Sequence, residues 1–298
     1  MALSIHTNYS SLVTQTNLGK TNNALGTNQQ RLGTGFRINS AADDAAGLQI
    51  ATRLNAQSRG MEVAIRNTGD AISMLQTAEG AFNEMTDILQ RMKDLSTQAA
   101  NGTNNVAKDL VSIQSEYDQL GVEIANIMDN TSYAGDKLFS KAAAGKFGAA
   151  VTFQIGATTA EKLTLNLKDV SGVDVYQGLI DALDGISATF TAGNADTAGS
   201  EVSSIAGANT NIDKVATALD AIGTIRAQFG ATINRLNHTA NNLANMKDNT
   251  DIAKGRMMDA DFAKESANMT KNSMLMQSGI SMLKQAGQMP GMVMSLLG

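Results

Sequence analysis

Apolar residues recur at heptad spacing over much of this chain, and the pattern limits the fold to long packed helices. Three series alternate steps of three and four residues, which is typical of helices that share an apolar seam. The series are Leu75, Ala78, Phe82, Met85, Leu89, Met92, Leu95; Val106, Leu110, Ile113, Tyr117, Leu120, Ile124, Ile127; and Ile212, Val215, Leu219, Ile222, Ile225, Phe229, Ile233, Leu236, Ala240, Leu243. The turn sequence AANGTNN separates the first two series, so their helices are predicted to be antiparallel.

The helix that carries the first seam is predicted to be very long. Ser40 and Asp43 have the spacing of a capping box, so this helix is expected from about residue 41 to about residue 100. Such a helix is roughly 85 Å long, whereas a compact globule of this many residues is only about 50 Å across. The predicted fold is therefore mostly α, an elongated rod of long antiparallel helices with heptad seams.

The two ends of the chain carry narrow apolar stripes. The stripe residues are seven apart: Leu18, Leu25 and Leu32 within residues 1–40, and Phe262, Met269, Met276 and Leu283 within residues 255–298. One stripe buries too little apolar area to offset the entropy lost when the segment becomes ordered. We therefore predict that each segment is disordered alone and becomes helical only against a partner helix, which is either the other terminus or another molecule.

The middle of the chain departs from the helical pattern. Residues 151–170 alternate apolar and polar on both sides of GATTAE, which predicts a small β-hairpin. Residues 171–204 are small and polar, with a short helical pattern at VYQGLIDALDGI, and are predicted to form a short exposed segment. The helical rod with its hairpin is assigned to residues 41–170 and 205–254.

Composition argues against several classes of function. A net charge of −5 without a basic cluster favours neither nucleic acid nor a membrane surface as partner. The chain has no cysteine, and its only histidines, His6 and His238, lack a metal or triad pattern. No cofactor and no enzymatic activity are predicted. The N-terminal sequence also lacks the features of a cleavable secretory signal, so export is expected to use another route.

Residues 31–47, RLGTGFRINSAADDAAG, admit three interpretations. A phosphate-binding loop requires a preceding strand, but this segment follows a helical stripe. A catalytic carboxylate pair is disfavoured because Asp43 and Asp44 point roughly 100° apart on a helix. We interpret the segment as a joint, in which the glycines interrupt one helix and Asp43 helps to begin the next.

Three sequence blocks together resemble bacterial flagellin, the subunit of the flagellar filament. They are ALGTNQQRLGTGFRINSAADDAAGLQIATRL at 24–54, LQRMKDLSTQAANGTN at 89–104 and DADFAKESANMTKNSMLMQSGISMLKQAGQMPGMVMSLL at 259–297. The resemblance implies an inner filament layer formed by 1–40 and 255–298, with outer domains nearly absent. It implies that the chain self-assembles into the helical propeller that drives motility, with the stripe residues as inner-layer contacts.

The same resemblance implies a secreted, extracellular protein with particular partners. These are other copies of the chain, the filament cap, the hook-junction proteins and an export chaperone at the C-terminus, after export by the flagellar type III apparatus. Recognition by Toll-like receptor 5 is implied at Arg91, Leu95 and Glu116, which match the positions that this receptor reads in some flagellins. Two alternatives stay open, namely a hook-filament junction protein and an unrelated coiled-coil assembly protein.

Overall fold

The computed structural model describes residues 8–103, 105, 108–141, 145–167, 174–192 and 199–297. Its helices are α1 (Tyr9–Thr34), α2 (Ala45–Ala99), α3 (Asp109–Asn130), α4 (Val175–Ile186), α5 (Ala188–Ala192), α6 (Ile205–Met258) and α7 (Phe262–Leu297). Its strands are β1 (Ser132–Tyr133), β2 (Asp136–Lys137), β3 (Val151–Gln154) and β4 (Lys162–Leu165). The mostly α fold predicted from the heptad series is confirmed.

The chain divides into two compact units. We call Met1–Arg59 together with Lys247–Gly298 the terminal unit, and Gly60–Met246 the central unit. Because α2 and α6 are long, each contributes residues to both units. The finer assignment of residues to an inner layer and a rod stays a prediction.

The predicted seams build the core of the central unit. Every member of the first series, from Leu75 to Leu95, is at most 1 % exposed. α6 runs antiparallel to α2, since Leu243 packs against Met61 at one end while Asn211 lies 3.5 Å from Ser96 at the other. The expected pairing of long helices across apolar seams therefore forms this core.

The second seam lies on α3. α3 starts at Asp109, whose carboxylate accepts a hydrogen bond from the backbone N–H of Asn105 at 2.8 Å. Leu110, Ile113 and Tyr117 are buried as expected, whereas Val106 lies outside the described residues. A carboxylate in the first turn favours this helix start through the N-terminal dipole.

Phenylalanine rings concentrate at one level of this core, although the chain has no tryptophan and few aromatics. Phe82 of α2 lies with its ring centroid 4.7 Å from Phe139 and 5.8 Å from Phe229 of α6. Phe147 closes the group at 5.0 Å from Phe229. Tilted rings at these separations attract one another, which contributes free energy beyond that gained by burying their apolar area. This cluster therefore joins α2, α6 and the loop after β2.

A buried tyrosine hydroxyl makes hydrogen bonds to two other helices inside the same core. The Tyr117 hydroxyl donates to the carbonyl of Ile186 at 3.0 Å and accepts from the side-chain amide of Asn211. Burial raises the pKa of Tyr117 well above its usual value, so the phenol stays protonated and able to donate. The hydroxyl thereby fixes α3, α4 and α6 relative to one another inside the central unit.

The predicted β-hairpin is confirmed, and it packs directly on α2. β3 and β4 are antiparallel, with Phe153 opposite Leu163. A Cβ at Gly60 would lie 2.8 Å from the Cβ of Ala157 in the hairpin turn, so only glycine permits this approach. A second, smaller hairpin joins β1 to β2 through two residues with positive φ angles, Ala134 and Gly135, a turn geometry that the sequence analysis did not identify.

The helices within the predicted exposed segment, residues 171–204, pack into the core. α4 turns Tyr176, Leu179 and Leu183 inward, and each is at most 1 % exposed. Phe190 of α5 is buried as well. The spacing of these residues makes one helix face apolar, and this face completes the core instead of capping it from outside.

Polar contacts hold the end of this segment against α3. Glu201 accepts from the backbone N–H of Ala188 at 2.7 Å and from the side-chain amide of Gln114 at 2.9 Å. The carboxylate of Asp118 accepts from the backbone N–H of Gly199 at 3.2 Å. Because these carboxylates and the amide satisfy backbone groups near the core, the segment docks at a defined position.

Candidate assembly surface

The terminal helices α1 and α7 form an antiparallel pair inside the terminal unit. The side-chain amide of Asn8 donates to the carbonyl of Ala286 at 2.7 Å. Ten residues further along α1, Leu18 packs on Gly279, where an added Cβ would lie 3.1 Å from the Leu18 Cδ1 atom. The residue numbers rise along one helix as they fall along the other, which establishes the antiparallel direction.

The seam between α1 and α7 alternates apolar and polar residues. It contains Thr14, Leu18, Thr21, Leu25, Asn28 and Leu32 of α1, and Glu265, Met269, Asn272, Met276, Gly279, Leu283 and Ala286 of α7, all buried or half-buried. Six of the seven residues in the predicted stripes therefore lie in this seam. The seventh, Phe262, is the first residue of α7, where it is exposed and its ring lies near Gly35.

Large apolar side chains outside the seam remain exposed. We call them the terminal apolar face: Tyr9, Leu12 and Val13 of α1, with Met274, Leu275, Ile280 and Met282 of α7. Leu12 is 59 % exposed and Met282 is 61 % exposed. The heptad stripes include none of these seven residues, because the stripes follow the seam and not the exposed side of the pair. A concentration of exposed apolar side chains on one helix pair is typical of a surface that binds another protein.

The joint predicted in residues 31–47 is present, and it pairs with the short segment that connects α6 to α7. Gly35 has a φ of 74° and ends α1, with its N–H donating to the carbonyl of Arg31 at 2.9 Å. Residues 259–261 connect α6 to α7 at the same level, where Phe36 and Asp259 form an antiparallel bridge. Each of these two connecting segments therefore satisfies backbone hydrogen-bonding groups of the other.

The start of α2 differs from the predicted capping box. The helix begins at Ala45, and the carboxylate of Asp44 caps it by accepting from the backbone N–H of Gly47 at 2.8 Å. Asp43 instead accepts from the N–H groups of Ser40 at 2.9 Å and Asn39 at 3.1 Å, which stabilises the preceding turn. The backbone hydrogen bond from Ser40 is the main cause that lowers the pKa of Asp43.

Asp251 links α2 and α6 within the terminal unit. Its carboxylate accepts from the Ser58 hydroxyl of α2 at 2.8 Å and from the ammonium groups of Lys247 and Lys254, each at 3.1 Å. The Ser58 hydrogen bond, followed by the two lysines, lowers the pKa of Asp251 from 3.8 to about 2. The carboxylate therefore stays charged under all ordinary conditions.

We expect acid to weaken the terminal unit through Asp251. A carboxyl whose pKa is lower in the folded state than in the unfolded state stabilises the folded state at pH values above its unfolded pKa, here near 3.8. This contribution is lost as the pH falls towards about 2. Because the group is partly exposed, Asp251→Asn should cost no more than about 1 kcal/mol near neutral pH. Urea unfolding from pH 2 to pH 6 should show the difference shrinking at the acid end. Asp248→Asn removes a nearby exposed carboxylate as a control, and an equal effect of both changes would contradict the assignment.

The three residues expected at the immune-receptor site occupy different environments in the central unit. Arg91 of α2 donates to the Glu116 carboxylate of α3 at 2.8 Å and 2.6 Å, and both side chains are about half exposed. Leu95 is 1 % exposed and belongs to the core. The side chain of Leu95 therefore faces the seam, while the ion pair of Arg91 with Glu116 faces outwards, and receptor recognition at these three residues stays a prediction.

Neither a metal centre nor a membrane span is found in the part of the chain that the structure describes. No group of three or more His, Cys, Asp or Glu residues there is placed to hold a metal ion. None of the described helices combines the length and hydropathy required to cross a bilayer.

Comparisons with known proteins agree with the paired terminal helices. The profile of the bacterial flagellin N-terminal helical region matches residues 5–144, and that of the C-terminal helical region matches residues 212–297. A solved structure of a putative flagellar hook-associated protein from Vibrio parahaemolyticus covers 73 % of this chain and 100 % of its own, with a TM-score of 0.53. Since only 14 % of the residues are identical, this likeness concerns the fold alone.

Full-length relatives give the family directly. Polar flagellin B/D of Vibrio parahaemolyticus is 36 % identical over 384 aligned positions, and flagellin D of Vibrio anguillarum is 37 % identical over 383. Each alignment covers 100 % of both chains, and it exceeds the 298 residues present here because these relatives carry additional segments. The chain therefore belongs to the bacterial flagellin family and is a structural subunit of the extracellular flagellar filament.

Proposed function

We propose that subunits of this chain contact one another through the terminal apolar face, and that the chain acts only as a structural subunit and not as an enzyme. The observation that supports this proposal is the exposure of Leu12, Met274 and Met282 beside a seam that is already half polar. Burying a large apolar side chain contributes about 1.5 to 3 kcal/mol. Several such side chains per subunit supply the lateral attraction that a helical polymer requires.

A charge placed in the terminal apolar face is the direct test of this proposal. Met282→Glu should abolish polymerisation, because a carboxylate buried between subunits lacks a compensating cation. Gln119→Glu is the matched control, since it puts the same charge on an exposed polar position of α3 in the central unit, away from the terminal apolar face. Seeded assembly is followed by sedimentation and negative-stain microscopy. Normal filaments from Met282→Glu would count against this surface.

The same exposed helix supports the proposed export partner. We propose that a chaperone covers the C-terminal segment 255–298 before assembly, since an uncovered apolar face invites premature association. The filament cap and the hook-junction proteins are proposed to bind the same terminal helices at the two ends of the polymer. A pull-down with a chain that lacks 255–298 should lose the chaperone, and full-strength binding would refute that assignment.

Recognition by Toll-like receptor 5 is proposed to involve Arg91 and Glu116, with Leu95 holding α2 in position from the core. Arg91→Ala removes an exposed cation whose ion pair with Glu116 contributes little to stability, about 0 to 1 kcal/mol. The variant should therefore keep its thermal transition while its signalling in receptor-expressing cells falls. Lys93→Ala, on the same stretch of α2, serves as the control. Unchanged signalling by Arg91→Ala would remove this residue from the proposed site.

A further inference from the structure

Four polar residues lie together in the seam between α1 and α7. The guanidinium of Arg31 donates from Nη1 to Glu265 Oε1 at 3.2 Å. In the amide orientation that satisfies its neighbours, Asn28 donates to Glu265 Oε2 at 3.2 Å and accepts from the Asn272 amide at 3.1 Å. Asn28 and Glu265 are each only 7 % exposed, so a buried carboxylate here has one cation and one amide as partners.

The apolar stripes by themselves leave the alignment of α1 and α7 ambiguous. Leucine recurs every seven residues in α1, and large apolar residues recur every seven residues in α7. A slip of one helix by one heptad therefore places leucine again opposite the same kind of partner. The seam threonines do not resolve the ambiguity, since Thr14 and Thr21 donate to carbonyls within α1 itself.

A one-heptad slip separates the buried carboxylate from its partners. In one direction Thr21 and Ala24 would take the places of Asn28 and Arg31, and in the other Gly35 and Ile38 would do so. None of these four residues carries a cation or a side-chain amide. A buried carboxylate without a cation is strongly unfavourable, so slipped alignments are disfavoured although their apolar contacts are preserved.

We propose that Asn28, Arg31, Glu265 and Asn272 form a register lock, which adds to the Phe36–Asp259 bridge at the joint and selects one alignment of α1 with α7 along the seam. The lock deepens the proposed function and rests on it, since the alignment decides which exposed side chains share the terminal apolar face. Because Leu18 lies beside Gly279, Met282 of α7 lies about three residues from that contact, on the side towards Leu12 and Val13 of α1. A slip by a heptad would move it about 10 Å along the pair and break the face that subunits share.

Introduced cysteines can report the register, because the chain has no cysteine of its own. Leu18→Cys with Gly279→Cys reports the observed register, where these positions touch. Ser11→Cys or Leu25→Cys, each with the same Gly279→Cys, reports a slip of one heptad in either direction. A displacement of about 10 Å along a helix is too large for a disulfide to bridge, so the three pairs are mutually exclusive.

The lock is removed with Asn28→Leu and Glu265→Leu in each of the three cysteine backgrounds. Polymer is sedimented and oxidised, and intrachain bonds are distinguished from interchain bonds by gel mobility. We expect the slipped pairs to rise at least fivefold, and the observed pair to fall correspondingly. Thr21→Leu adds an apolar residue at another seam position and should leave all three yields unchanged.

A charge exchange gives an independent measurement. Arg31→Glu alone should raise the slipped pairs, and Arg31→Glu with Glu265→Arg should restore the observed pair. If the yields of the slipped pairs stay unchanged after all these substitutions, the lock is overturned. The assembly surface is tested separately by Met282→Glu. If the cysteine parent does not sediment, the same oxidation in trimethylamine N-oxide, which favours buried contacts, reads the register in the unassembled chain.

Discussion

Limited proteolysis of the monomer is expected to remove both ends of the chain and to leave a folded product that no longer polymerises. The pair of α1 and α7 buries a seam that is half polar and leaves several large apolar side chains exposed. Backbone ordering opposes folding at every residue of these segments, whereas much of their apolar area is buried only when another subunit covers it. The helical pair seen in the structure is therefore expected to persist in the filament and to melt in the free subunit.

Trypsin is a suitable probe because basic residues are spread through both segments. Lys20 and Arg31 lie in α1, and Lys264, Lys271 and Lys284 lie in α7. Monomer should be cut at these sites within the time in which assembled filament stays intact, and the trimmed product should retain the circular dichroism of the central helices. Termini that resist cleavage in the monomer, or normal filaments grown from trimmed protein, would show that assembly does not order them.

The parts of the fold that follow a regular period were predictable from the sequence. The series from Leu75 to Leu95 is buried along its whole length, and the hairpin around GATTAE pairs as expected. Each of these elements is specified locally, by spacing alone, because one face must be apolar whatever it packs against. Long, strongly periodic segments therefore reveal their type before any contact is known.

The departures from prediction have a common cause, which is competition between tertiary contacts and local pattern. Composition suggested an exposed segment at 171–204, but a few apolar residues of α4 at helical spacing were sufficient to draw it into the core. At the joint, Ser40 and Asp43 have the right spacing for a helix start, yet Asp44 provides the cap. Spacing could not decide between two adjacent aspartates, since both can accept from the first turn.

The sequence predicted the apolar residues of the seam at the candidate site, but not the polar contacts within that seam. Heptad stripes identified six seam residues of α1 and α7, because a stripe needs only one helix to be visible. The cluster of Asn28, Arg31 and Glu265 joins residues more than 230 positions apart in sequence, so no local pattern reveals it. At Leu95 the resemblance marks the position, whereas only the packing shows that its side chain points inwards.

Phe82→Ala is expected to be among the most destabilising single changes in the central unit. The side chain is fully buried, and its ring contacts Phe139 of the loop and Phe229 of α6 at once. Removing a buried phenylalanine typically costs about 3 to 5 kcal/mol, since the transfer free energy is lost and a cavity is left between partners that relax only partly. That is a large share of the roughly 5 to 15 kcal/mol that stabilises a typical folded protein.

The measurement is chemical unfolding of the protein, with circular dichroism as the probe of the central helices. Phe82→Leu should recover part of the loss, because leucine refills much of the cavity. Val111→Ala is the surface control, since Val111 is exposed on α3 and its truncation should change the unfolding free energy by less than about 0.5 kcal/mol. A loss below about 1 kcal/mol for Phe82→Ala would mean that the helices collapse onto the vacated space. The aromatic cluster would then fill the core without fixing the distance between α2 and α6.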